Sequence, residues 1–308
     1  MKKSSECKFR FSAFFLGVMF LLWAGAASQA DVLFTHEETS HDFMLGETSA
    51  KVLLGYTDHG KYSDRQISYQ SGFLKRFFGK VKTGRNTSQF DLKENTVSEV
   101  DWENRYVYVY AIANISDPEW HRKRNPMMKE RRELVEQRYE VSPPEISFEF
   151  NEEPETVNGY STKKVVIKLN LETTDKKKNA KSITRITQSL WLSTEVKGYD
   201  LYTNFNEALS RKTGVNSHRL GLSGDLLSYY PLDLNSIEDD LSRVYGYAVK
   251  AKFRLEGSYI QNFADKPPQK TDKVFKDQTS VLTSVQETSS LDSSLFLAPE
   301  SFARKEIK

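Results

Sequence analysis

Two histidines and two carboxylates crowd together near the start of the chain, at His36, Glu37, Glu38 and His41. Imidazole and carboxylate are ligands for a divalent cation, and a site with one open position could activate water for hydrolysis. The spacing argues against that use. Histidines five apart do not share a helix face, and the HExxH pattern of zinc hydrolases is missing. His59, the next histidine, falls in an expected turn. A solvated polar segment over 35–50 accounts for the group without a metal. The expectation is therefore no metal and no cofactor, with a metal-assisted hydrolase as a second alternative.

A nucleophile is equally hard to find. Ser223 sits in Gly221-Leu222-Ser223-Gly224 with His218 nearby. A nucleophile elbow needs glycine two residues to either side of the serine, and this one misses by a residue. The glycine-containing turns at 55–60, 79–84 and 221–224 match neither a P-loop nor a dinucleotide-binding fingerprint. Cys7 is the only cysteine. The chain beyond it has no thiolate, disulfide or cysteine–zinc site to offer. No catalytic residue is expected.

Arg122, Lys123, Arg124, Lys129, Arg131 and Arg132 form a basic cluster. It could touch anionic headgroups at a membrane surface. Glu119, Glu130, Glu133 and Glu136 beside it fit a solvated helix face instead. No aromatics are interleaved as a nucleic-acid platform requires, so nucleic acid is not an expected partner. The aromatic residues are elsewhere. Trp102, Tyr106, Tyr108, Phe148, Phe150, Trp191 and Phe253 fall on expected strands. They are either plain core or the wall of a curved sheet that holds an apolar ligand.

The elements that must position these residues begin after residue 30. Lys2, Lys3, Lys8 and Arg10 precede an apolar run at 14–23, followed by small residues at 24–26 and 28–30. That order reads as a cleavable secretory signal ending near Ala30, so the expected location is the periplasm or the medium. Its loss leaves 278 of the 308 residues and moves the net charge from +2 to −1. Alternating apolar residues predict strands at 52–56, 66–69, 73–81, 105–112, 146–150, 165–171, 183–192 and 245–255. Asn158-Gly159 predicts a tight hairpin. Helices are expected at 117–140 and 200–213. The polar composition from 264 onward predicts a mostly loose tail, with 295–299 as an apolar island that docks back.

Thr156-Val157-Asn158-Gly159-Tyr160, followed by Ser189-Leu190-Trp191-Leu192-Ser193-Thr194-Glu195, resembles the motif series of an exported bacterial family of unknown function. Pro231-Leu232, the alternating strand at 245–255 and Leu295-Phe296-Leu297-Ala298-Pro299 are similar to that family's later elements. The likeness spans about 145–304. Thr162 stands where many relatives have cysteine, and Ser301-Phe302 replaces their terminal Gly-Tyr. The family in turn resembles the LolA/LolB-type lipoprotein carriers of the Gram-negative periplasm. That resemblance implies an apolar cavity on a curved sheet, and no catalytic residues.

Together these readings predict an α+β fold. A strongly curved antiparallel half-barrel sheet of eight to eleven strands fills residues 31–263. Helices cover its inner face, and 116–142 is a helical insertion. The expected function is non-enzymatic binding of an apolar or amphipathic ligand, a lipid or an acyl-bearing protein, in the cell envelope. The alternative is an envelope protein-interaction module that docks a partner through the basic insertion and the tail. Peripheral membrane contact is compatible with either.

Overall fold

Three hairpins of this chain use one five-residue device. Asp91, Asp101 and Asp175 each end a strand and turn a carboxylate onto the following turn. Their Oδ1 atoms accept from the backbone N–H groups of Lys93 and Glu94, of Glu103 and Asn104, and of Lys177 and Lys178. Four residues after each aspartate the backbone turns left-handed, at Asn95, Arg105 and Asn179. An aspartate stands in for a backbone acceptor in all three, and asparagine, which tolerates positive φ, takes the left-handed position in two of them, with Arg105 in the third. A fourth hairpin turns at Asn158 and Gly159, both with positive φ, which matches the twist of the strands it joins.

The computed structural model describes residues 30–43, 46–70, 84–117, 120, 138–214, 219, 237–262 and 267–307. Within them the strands are β1 (Asp31–Asp42), β2 (Gly46–Tyr56), β3 (Gly60–Tyr69), β4 (Gly84–Asp91), β5 (Thr96–Asp101), β6 (Tyr106–Ala111), β7 (Tyr139–Val141), β8 (Glu145–Val157), β9 (Tyr160–Asp175), β10 (Ala180–Ser193), β11 (Tyr247–Gln261), β12 (Gln269–Thr288) and β13 (Ala303–Glu306). They form one sheet in the order β13-β6-β5-β4-β3-β2-β1-β12-β11-β10-β9, with β7 and β8 end to end along the outer side of β9. All neighbours are antiparallel except β13, which runs parallel to β6. The sheet curves without closing on itself. Its thirteen described strands exceed the eight to eleven expected.

Two meanders make this sheet, one from β1 to β6 and one from β8 to β12. The seam between them is β1 against β12, in register from Asp31↔Thr288 to Asp42↔Lys276 with one bulge after Thr35. This corrects the expectation of a loose tail. Low hydropathy over 264–288 pointed to disorder. However, Thr271, Val274, Thr279, Val281, Thr283 and Val285 recur along it, and β-branched residues suit a pleated strand paired on both sides. The polar 35–50 segment is likewise no solvated terminus. It holds β1 and the start of β2, near the middle of the sheet.

Beyond β12 the chain crosses the sheet as a strap. The Leu291 N–H donates to Asp31 Oδ2 at 2.7 Å. The Leu291 side chain lies on Gly55, where a Cβ would come within 2.5 Å of it. Phe296, from the apolar island, is fully buried, with its ring 5.4 Å from that of Tyr62. Phe302 meets Trp102 edge-on, and β13 then pairs with β6. Gly55 and Tyr62 are opposite each other in register, on the face away from Leu54 and Phe34. The strap therefore runs over the outer face.

The inner face carries the core. Register puts Phe34 beside Leu54, Leu282 beside His36, Phe253 beside Gln188, and Ile167 beside Phe148. Two apolar clusters lie along this face. The first gathers Val32, Phe34, Tyr56, Val97, Tyr110, Tyr247 and Val249. The second gathers Val165, Ile167, Leu169, Ile186, Leu190 and Phe253. Each fully buried side chain of this size contributes roughly 1.5–3 kcal/mol.

Helix α1 (Tyr199–Thr213) inserts Leu201 and Phe205 into the first cluster. The Tyr56 and Phe205 rings meet edge-to-face at 5.7 Å. Asp200 in its first turn, Arg211 and Lys212 in its last, and Gly214 in left-handed conformation complete its ends. The short α2 (Glu238–Arg243) adds Leu241 to the second cluster. The other expected helix, 117–140, lies outside the described residues except at its edges. One of these, Trp120, is buried against Tyr110 at 4.7 Å. The 73–81 strand, the basic cluster at 122–132, His218 and Ser223 lie outside them as well.

Candidate functional site

A polar band separates the two apolar clusters at the middle of the inner face. His36 is 8% exposed and shares a 2.7 Å hydrogen bond between Nε2 and Tyr247 Oη. Its Nδ1 is 3.4 Å from Ser280 Oγ. Burial lowers its pKa to about 4, so the ring is neutral at pH 7. Glu38, two residues on, accepts from Arg65 at 2.8 Å. Gln278 is buried on the same face, and its Oε1 meets no partner among the described residues. His41, an odd number of strand residues from His36, faces the other side and is exposed. One ion cannot be held by both rings, which removes the geometric basis of the hydrolase alternative.

Between α1 and the start of β11, the second cluster opens into a cleft of about 120 Å³. Leu190, Leu192, Val244 and Ala248 form its apolar wall. Tyr202, Thr203, Tyr245 and Arg219 supply its polar groups. Local backbone chemistry fixes the cleft. Gly246 has φ of 115° and lies so close to β10 that a Cβ would sit 3.0 Å from Leu192 Cβ and from the Ser193 nitrogen. Its N–H donates to Tyr199 Oη at 3.0 Å, which ties the strand entry to the first turn of α1. The Arg219 guanidinium donates to the carbonyls of Leu241 and Ser242, at 3.0 and 3.3 Å. Burial, then the nearby Tyr56 and Tyr199 phenols, pushes the Tyr202 phenol up, and Arg219 pulls the other way. A second cleft, of about 80 Å³, shares Leu192 and Tyr245 with the first and reaches Val165, Phe150 and Arg243. Arg243 lies over the Phe150 ring at 3.8 Å.

The seven aromatic residues singled out from the sequence do not form one wall. Phe148, Phe150 and Phe253 belong to the second cluster, with the first two stacked at 6.1 Å. Tyr106 and Tyr108 lie on the same face by register but at the far edge, under Lys305. Trp191 is on the outer face. Its register partners Lys164 and Lys250 cover the ring, and its Nε1 donates to Glu155. Trp102 stands in the turn after β5, also outward, donating to Thr87 Oγ1 and stacked on Arg85.

Tyr199, Tyr202, Thr203 and Arg219 carry no signal of their own in the sequence. Tyr202 and Thr203 are next to Leu201 in α1, whose apolar spacing was legible; the helix alone does not say that these two flank an opening. Tyr245 was placed in the strand, yet β11 begins at Tyr247 and Tyr245 is half exposed before it.

No family model matches this chain, and no curated protein does. Among solved structures, a LolA superfamily protein from Nitrosomonas europaea is similar at 5% identity and a TM-score of 0.24, covering 87% of this chain and 90% of that one. A DUF1329 family protein from Desulfovibrio piger is similar at 8% identity and a TM-score of 0.19, covering 93% and 96%. These are the two kinds of protein that the sequence motifs resemble. At such scores the likeness adds nothing to the argument from geometry. Among the described residues, no helix is long and apolar enough to cross a membrane; strands are not covered by that statement.

Proposed function

We propose that this chain is a non-enzymatic binding protein of the cell envelope, exported by its first thirty residues, that holds an apolar or amphipathic molecule such as a lipid or an acyl chain on the inner face of its sheet. One observation carries the reading: the second apolar cluster continues, by register, from β11 to the partly buried Phe148 and Phe150 on β8, and opens at two adjoining clefts. A continuous apolar face that reaches an opening rimmed by polar groups is the kind of surface on which a ligand docks. The clefts are small beside the 300–1,000 Å³ typical of a pocket for a drug-sized ligand, so a ligand would lie along the face rather than inside a closed chamber.

Gentle purification followed by native mass spectrometry tests this, together with uptake of a neutral apolar fluorescent probe. The expected result is a co-purified lipid, or saturable probe uptake that Phe150→Glu weakens at least fivefold while Trp191→Phe leaves it unchanged. No bound lipid in repeated preparations and no probe uptake would refute it.

A further inference from the structure

We propose that the cleft between α1 and β10–β11 is a head-group site for a carboxylate carried on a single alkyl chain. This rests on the reading that the inner face holds an amphipathic molecule. The cleft's cation is Arg219, and no acidic side chain is among the described residues that line it. Arg219 is held in place by backbone carbonyls, so its positive charge is positioned without being neutralised. Thr203 Oγ1, on the same wall, is buried and has no hydrogen-bond partner among the described residues. A buried hydroxyl without a partner is costly, and a ligand oxygen that accepts from it removes that cost. Tyr202 adds a second hydroxyl to the lining. Two neutral donors beside a guanidinium suit an oxyanion.

Size and direction narrow the class. About 120 Å³ admits a planar carboxylate and a few methylenes, not two chains or a bulky head. Leu190 and Leu192 give the first methylenes an apolar wall. Leu192 and Tyr245 then lead into the second cleft, where Val165 and Phe150 offer apolar surface to the chain beside a polar rim of Asn151, Glu152, Lys163, Lys164 and Arg243.

Calorimetric titration of the purified protein at pH 8 with dodecanoate, dodecyl phosphate and dodecan-1-ol tests the assignment. The expected result is that dodecanoate binds at least tenfold tighter than dodecanol and tighter than dodecyl phosphate. Arg219→Met should erase the preference while leaving dodecanol affinity within twofold. Arg219→Lys should restore part of it, and Thr203→Val should cost three- to tenfold for dodecanoate alone. Thermal melts identify any variant that fails to fold, and the wild-type comparison stands without the variants. Equal affinity for dodecanoate and dodecanol would overturn the head-group site and leave amphiphile binding intact. Tighter dodecyl phosphate would overturn the carboxylate. Binding of none of the three would overturn both this inference and the reading beneath it.

Discussion

His36 stands where two demands meet. It lies on a central strand among Phe34, Val52 and Leu282, yet it must find polar partners, and it finds Tyr247 and Ser280. Burial lowers its pKa to about 4 from an ordinary 6.5. The unfolded chain therefore binds a proton between these values that the folded chain does not. Stability rises with pH through that window and is lost as pH falls through it. The full difference would be about 3 kcal/mol. Urea unfolding at pH 7 and pH 4 should show that loss in the wild type, and His36→Gln should lack it after subtraction of the common carboxylate background. Equal pH dependence in both proteins would contradict a buried, neutral His36. The sequence showed a cluster of titratable groups here but not their burial. Alternation over 31–42 is masked by Glu37, Thr39 and His41 on one side and by Glu38 and Ser40 on the other. Only pairing with β2 and β12 decides which side is covered.

Hairpins were the most legible elements, because turn chemistry is local. Asn158-Gly159 declared itself, and the repeated Asp-to-Asn spacing at 91–95 and 175–179 is a signal that was there to be read. Helix α1 was legible within a residue from its caps and apolar spacing. β12 was not, because its polar side chains are tolerated only through pairing on both sides, with β11 just before it and with β1 at the far end of the sequence. The strap follows the same logic: Phe296 is buried only because the chain brings it back across Tyr62. Phe296→Ala should therefore cost about 3–5 kcal/mol, as truncating a fully buried aromatic does. Removing residues 264–308 should leave no stable fold, since it deletes a strand paired on both sides. A truncated protein with an unchanged melting temperature would refute both the seam and the strap. The interaction-module alternative loses its free tail for the same reason.

The described part, from Asp31 onward, behaves as one sheet with two unlike faces. The outer face is crossed by the strap and studded with Lys164, Lys250 and Lys252; the inner face holds both apolar clusters and the clefts into which the second one opens. Aromatic content alone could not separate these faces. Trp191 and Phe253 look equivalent in the sequence, but the sheet directs them to opposite sides. The decisive measurement is photo-crosslinking of the purified protein with an alkyl diazirine probe, followed by peptide mapping. Binding on the inner face predicts adducts at Phe150, Leu190, Leu192 and the 244–248 turn, reduced by excess unlabelled dodecanoate, with none at Trp191 or Trp102. Adducts confined to the outer face, or spread without saturation over both, would contradict it.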